Sequence, residues 1–206
     1  MIVKICGMRD PENIRAVEQL KPTWMGFICW SGSKRFVDHA PAYLPQCERV
    51  GVFVDAEPTY IYNMVHTLGL HRIQLHGNET PERCRELARD TQLPIIKAIS
   101  VSSKDDIRRA TDYEEVANHL LFDTKTPLVG GSGEQFDWSV LEDYQGTTPF
   151  LLSGGIGPAD APRLAHFQHP AFAGIDLNSR FEDAPAMKNV ARLSTFLHEI
   201  NAFAKQ

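Results

Sequence analysis

Several absences narrow the reading before any residue is given a task. No block of basic residues interrupts the 206-residue chain, whose formal net charge is −5. A nucleic-acid partner needs a concentrated cationic face, so none is expected, although this balance leaves room for a local cationic pocket holding a small anion. No run approaches the roughly 18 apolar residues of a membrane-spanning helix, so no membrane partner is expected either. The beginning of the chain carries Lys4 and Arg9 without an apolar stretch of signal-peptide length. The four cysteines, at positions 6, 29, 47 and 84, form no C-x-x-C pair. That argues against a disulfide framework and for reduced thiols in a cytoplasmic protein. Metal-ligand spacing, a P-loop and a Rossmann fingerprint are missing too, and with them any ground for expecting a metal or an organic cofactor.

What is present is ordinary globular composition in an alternating pattern. Apolar residues make up 43% and charged residues 23%, and the length allows one domain, residues 1–206, with a sizeable core. Strand-like runs fall at Ile2–Cys6, Met25–Cys29, Val50–Val54, Arg72–Leu75, Ile95–Ile99, Leu120–Phe122, Phe150–Leu152 and Phe172–Ile175. Between them lie helical patterns at Pro11–Leu20, Pro58–Leu68, Pro81–Arg89, Asp105–Ala117 and Pro158–Phe167, with Met187–Phe203 closing the chain. Pro41 and Pro45 leave little room for a helix after the second run. Strands recurring about every 22–30 residues suit right-handed βα units, and eight such units close into a compact (β/α)8 TIM barrel. A doubly wound open sheet is the alternative.

In a parallel α/β protein reactive groups collect at the carboxyl ends of strands. Cys6 ends the first run, and Gly7 breaks it. A cysteine is often only a small buried hydrophobe. The sixth strand, however, ends in Asp123-Thr124-Lys125 and runs into Gly130-Gly131-Ser132-Gly133. A thiolate base facing a carboxylic acid can move a proton between adjacent carbons, provided that cations such as Lys4 or Arg35 bring the thiol towards neutrality and burial keeps Asp123 partly protonated. The second glycine-rich segment, Ser153–Gly157, follows the seventh strand, and Asp176-Leu177-Asn178-Ser179-Arg180 the eighth. Glycine lets backbone N–H groups approach an anion closely, so these loops read as a phosphate cradle rather than as tight turns alone. Arg35 offers a planar fork for a carboxylate. His76 and Asp55 read as structural, and Trp30 and Phe36 as rim or core.

These residues also carry a resemblance. KICG at 4–7, GFICWSGSKRFV at 26–37, VGVFV at 50–54 and QLHGNE at 74–79 stand in order. They are followed by FDTKTPLVGGSGEQFDW at 122–138, LLSGGIGPAD at 151–160 and GIDLNSRFE at 174–182. Over nearly its whole length the chain resembles the phosphoribosylanthranilate isomerases of tryptophan biosynthesis. The resemblance implies a cofactor-free Amadori rearrangement, an aldose–ketose isomerisation of N-(5-phosphoribosyl)anthranilate. It makes Asp123 the general acid that opens the ribose ring and Cys6 the general base at C2′. Arg35 would meet the anthranilate carboxylate, and Gly131, Gly154, Gly155 and Ser179 would meet the phosphate. Asp176 and Asn178 complete the expected substrate-binding set. The partner implied is this small molecule, with monomer and homodimer both left open. Alternatives are the related barrel isomerase of histidine biosynthesis, disfavoured because Cys6 stands where an aspartate is expected, and a non-catalytic phosphosugar-binding barrel.

Two stretches depart from the family pattern. Arg180 stands where D-V-S-S-G-V-E has glycine, and Ala186 stands at the glycine of a frequent P-G-x-K-D. A side chain in place of a glycine restricts positive φ, so the eighth-strand loop is expected to take a different course.

Overall fold

The computed structural model describes residues 1–124 and 137–203. Strands β1 (Ile2–Cys6), β2 (Trp24–Ile28), β3 (Glu48–Phe53), β4 (Arg72–Leu75), β5 (Ile95–Val101), β6 (His119–Thr124), β7 (Phe150–Leu152) and β8 (Phe172–Leu177) close in that order into a parallel barrel. It is the closed architecture, not the open sheet. Strand alternation divides the apolar residues between two cores. Ile2, Trp24, Val50, Ile96, Ala98, Leu121 and Leu151 cluster inside the barrel. Their neighbours Ile5, Phe27, Phe53, Leu75, Ile95, Phe122, Phe150 and Ile175 join a larger core under the helices.

The register sets Lys4 beside Asp176, Cys6 beside Gly26, Gln74 beside Ile96 and Ser100 beside Asp123. Steps of two along each strand then carry Cys6, His76, Asp123, Ser153 and Asp176 to one inward face above the apolar cluster. The same alternation that builds the core assembles the site.

Helices α1 (Pro11–Glu18), α2 (Pro58–Leu68), α3 (Pro81–Thr91), α4 (Lys104–Arg109), α5 (Ala161–His166) and α6 (Val190–Phe203) surround the barrel. Proline opens α1, α2 and α3, where its missing N–H costs nothing. Asp10 caps α1 by accepting from the Asn13 amide at 2.8 Å, and Thr80 caps α3 by accepting from Arg83 at 3.3 Å. Each such cap contributes about 1 kcal/mol. No helix joins β2 to β3. Instead the segment is pinned to α1, where Glu18 accepts from the Tyr43 hydroxyl and Arg15 stacks 3.8 Å from the Tyr43 ring centre.

Three expected helices differ. The stretch Asp105–Ala117 splits into α4 and a 3-10 turn Ala110–Tyr113, and Pro158–Phe167 into a 3-10 turn Pro158–Asp160 followed by α5. The last helix begins at Val190, not at Met187, because Met187–Lys188 is a strand, β10, paired antiparallel with β9 (Glu182–Ala184). Asn13 of α1 holds Lys188 there from both sides: the Lys188 amide donates to its Oδ1 at 2.8 Å, and its Nδ2 donates to the Lys188 carbonyl at 2.9 Å.

Candidate active site

Cys6 lies buried at the carboxyl end of β1, two residues beyond Lys4 on the same inward face. Lys4 is fully buried, and its Nζ donates to Asp176 Oδ1 at 2.9 Å. Burial alone would lower the Lys4 pKa and protonate Asp176. For Lys4 the contact with Asp176 and the negative field of Cys6 prevail and hold it above its ordinary value as a cation, whereas for Asp176 burial outweighs Lys4 and pushes the carboxyl up. Room for the thiol depends on a residue that reading the sequence missed. A Cβ on Gly26 would lie 2.7 Å from Cys6 Sγ, so no side chain fits there.

Burial pushes the Cys6 thiol above its ordinary value; Lys4 and Lys188 pull it down, and Asp176 pushes it up. This corrects the expectation of a thiol brought towards neutrality. So deep a thiol loses more solvation of its anion than two ammonium groups return.

Asp123 ends the inward face of β6, three strands round the barrel from Cys6. Its Oδ1 accepts from the Thr124 amide at 2.9 Å, and its Oδ2 lies 3.1 Å from His76 Nε2. The Gln74 amide sits 2.9 Å from His76 Nδ1, and in donating there it leaves the ring proton on Nε2, aimed at Asp123. His76, read from the sequence as structural, is therefore part of the acid's surroundings. Between acid and thiol, Ser153 of the β7 end donates to Asp176 Oδ2 at 3.4 Å, and the Asp176 carboxyl feels both Asp123 and Lys4. Ser153, Asp176, Lys4 and Cys6, on the consecutive strands β7, β8 and β1, thus form one polar cluster on the inward face, with Asp123 at the end of the neighbouring β6.

Arg35 is gripped along one edge. Its Nε lies 2.9 and 3.0 Å from the two Glu182 oxygens, and its Nη2 lies 2.7 Å from Oε2. That bidentate hold fixes the guanidinium plane and leaves the Nη1 and outer Nη2 hydrogens as a second fork. Glu182 also accepts from the Ala186 amide at 3.1 Å and from Lys188 Nζ. Burial raises the Glu182 carboxyl, but Arg35 and Lys188 outweigh it and hold it below the usual carboxylate range. Gly7, at φ 77, makes the approach of these groups possible: a Cβ there would meet Arg35 Cδ at 2.6 Å and Asn178 Oδ1 at 2.8 Å.

Of the expected phosphate positions, Gly131 lies outside the described residues. Gly154 and Gly155 have φ 81 and 74, and a Cβ on Gly154 would come within 2.3 Å of Thr124 Oγ1. This backbone is open only to glycine. Ser179 opens a 3-10 turn, Ser179–Phe181, through which the chain passes Arg180 without positive φ. Asn178, by contrast, is engaged inside the protein, its Oδ1 accepting from Lys188 at 2.9 Å. Glu182 and Lys188 were not singled out from the sequence. Their signal was a lysine and a glutamate flanking a family-like turn, with partners far away in the chain.

Among the described residues no cluster of three or more histidine, cysteine or acidic side chains is arranged to hold a metal ion, and no helix is long and apolar enough to cross a membrane.

A closed parallel barrel with acid, thiol and cations on the inward face at its strand ends defines the class: a (β/α)8-barrel enzyme working at its carboxyl-terminal mouth. Within that class the chain belongs to the N-(5'-phosphoribosyl)anthranilate isomerase family, whose model, N-(5'phosphoribosyl)anthranilate (PRA) isomerase, matches residues 3–199. It is 50% identical over 201 residues to the N-(5'-phosphoribosyl)anthranilate isomerase of Phocaeicola vulgatus, covering 97% of this chain and 98% of the relative. The Parabacteroides distasonis enzyme of the same name is 44% identical over 207 residues, with 97% and 93% covered. In three dimensions the chain is similar to phosphoribosyl anthranilate isomerase from Thermus thermophilus, with a TM-score of 0.85 at 30% identity, over 98% of this chain and 99% of that one. A further solved phosphoribosyl anthranilate isomerase has a TM-score of 0.80 at 29% identity over 98% and 100% of the two chains. It is in complex with reduced 1-(o-carboxyphenylamino)-1-deoxyribulose 5-phosphate.

Proposed function

We propose that this protein converts N-(5'-phosphoribosyl)anthranilate to 1-(2-carboxyphenylamino)-1-deoxyribulose 5-phosphate, the Amadori step of tryptophan biosynthesis, in the cytoplasm. Family membership supports the reaction, as does the relative that holds the reduced product. The observation that carries the assignment of roles is the placement of Cys6 and Asp123 on one inward face, Cys6 beside the buried Lys4–Asp176 pair and Asp123 beside His76.

Asp123 gives its proton to the ribose ring oxygen, the C1′–O bond breaks, and a C1′ imine forms. Cys6 as thiolate then removes the C2′ proton, the electron pair moves towards the imine nitrogen, and the enolamine tautomerises to the C2′ ketone. No atoms are gained or lost, so the residues need only move protons. Lys4 stabilises the thiolate that does so, and His76 keeps Asp123 oriented and adjacent to a second proton. Arg35, already held by Glu182, offers its outer fork to the anthranilate carboxylate. Gly131, Gly154, Gly155 and Ser179 receive the phosphate, while Asp176 and Asn178, held by Lys4 and Lys188, border the substrate from the end of β8.

The test uses substrate made in situ, because it is labile, and follows loss of its fluorescence. The parent protein should turn it over, while Cys6→Ser and Asp123→Asn should each lower kcat by about 100-fold or more with the fold retained. Parent-like turnover in either variant overturns that role, and no turnover by the parent overturns the activity, leaving a barrel that only binds phosphosugars.

A further inference from the structure

The 182–188 hairpin ends in a charged side chain that the reaction as written does not use. Lys188 is fully buried at its side chain, yet it sits on a two-residue strand. Much of the local structure holds it there. Asn13 grips its backbone amide and carbonyl, and Ala186 takes φ 66, a conformation costly for a residue with a Cβ, in the turn leading to it. Its Nζ donates to Asn178 Oδ1 at 2.9 Å and contacts Glu182. Asn178 Oδ1 in turn lies 2.8 Å from where a Cβ of Gly7, the residue after Cys6, would be. The ammonium is therefore lodged at the Cys6–Gly7 corner.

We propose that Lys188 is a positioning residue for proton abstraction: together with Lys4 it supplies the positive field that holds the Cys6 thiolate, and Glu182 sets how much of that field reaches the sulfur by sharing Lys188 with Arg35. This rests on the reading of Cys6 as the base. The charged and titratable groups facing the thiol are Lys4 on its own strand, Asp176 on β8, Lys188 on the hairpin and Cys29 beyond β2. Arg35 and Glu182 act on it through Lys188. Glu182, with Arg35 on one side and Lys188 on the other, makes a triad with one surplus positive charge at the Cys6–Gly7 corner. The Lys188 ammonium is itself lowered by burial, and Glu182 and Cys6 both oppose that. Ammonium and thiolate favour one another.

The readout is the pH dependence of Cys6 alkylation by iodoacetamide, followed on the Cys6 peptide by mass spectrometry in the full-length protein, beside kcat and KM. Lys188→Met should move the alkylation midpoint up by about one unit or more and lower kcat about tenfold, with KM little changed. Lys188→Arg should restore much of both. Glu182→Gln should move the midpoint the opposite way, to lower pH, because the Lys188 ammonium, still held by Asn178 and by the thiolate itself, loses its competitor. An alkylation midpoint unchanged in Lys188→Met, or shifted upward in Glu182→Gln, overturns the proposal. If Lys188→Met does not fold, the sign of the Glu182→Gln shift decides alone. Alkylation needs no turnover, so a failure here is distinguishable from failure of the isomerase reading, which would appear as an inactive parent with the predicted shifts intact.

Discussion

Among the described residues three lysine–carboxylate pairs are buried, and two of them, those other than Lys188–Glu182, differ sharply in what surrounds them. Lys97 contacts Glu79 at 3.0 Å outside the barrel, and Lys4 contacts Asp176 at 2.9 Å inside it. Lys97 also donates to the Leu75 and Gly77 carbonyls, at 3.2 and 2.7 Å. Glu79 accepts from the amides of Asp55 and Gly77, each at 2.9 Å. Every strong donor and acceptor of that pair is spent on the loops after β3 and β4, with Tyr113 closing it by donating to the Glu79 carbonyl at 3.0 Å. The Lys4 pair instead faces a thiol and, through Ser153, the end of β7. A saturated pair locks backbone in place. A pair with a titratable third member is poised to stabilise a charge that comes and goes.

Replacing each lysine by methionine breaks this comparison most sharply. Lys4→Met should cut kcat by about 100-fold or more, as loss of support for a catalytic base does. Lys97→Met should cost about 3–5 kcal/mol of stability, because it strands a buried carboxylate, while kcat of the folded protein falls far less. Urea unfolding and turnover on the folded fraction measure both. A Lys97→Met protein that is stable but inactive would show that the closed pair also serves the chemistry.

The contrast also marks what was legible in the sequence. Each strand announced itself as an apolar run between breakers, and once eight were in place, parity alone brought Cys6 and Asp123 to one face. Arg35 stood in a recognisable segment, but nothing local shows that Glu182, 147 residues away, would hold it. The last helix was over-extended to Met187 for the same reason: helical spacing continues there, and the competing partner is the Asn13 side chain, 175 residues distant. The rise in the Cys6 pKa likewise depends on burial that only the closed barrel creates. Local pattern reveals which residues end a strand. It does not reveal which long-range charges meet them.

The Arg35 clamp offers a test of intermediate size. Arg35→Ala removes the fork proposed for the substrate carboxylate and frees Glu182 to pair with Lys188 alone. KM should rise about 10- to 100-fold, the worth of charge-assisted hydrogen bonds, with a smaller change in kcat. An unchanged KM would mean that the carboxylate is met elsewhere.

The smallest effect comes from the barrel's opposite end, where a half-buried histidine has, among the described residues, no counter-charge in contact. His119 opens β6 and meets Trp24 edge-on, with ring centroids 5.2 Å apart, and its buried Nδ1 has no hydrogen-bond partner among the described residues. Burial lowers its pKa to about 4, with Arg72 adding to the shift and Glu48 opposing it. The folded state therefore binds the proton less well than the unfolded chain, where the value is near 6.5. Stability from this group is fully present above the unfolded value and is lost as pH falls towards the folded one. Screening at a partly exposed ring reduces the effect to about 1–2 kcal/mol. His119→Phe keeps the edge contact and removes the proton. Between pH 7 and 4.5 its urea midpoint should fall less than that of the parent. Parallel curves would show that His119 is solvated enough to titrate without cost, and that of the buried groups compared here only those beside a charged partner feel the barrel's low dielectric.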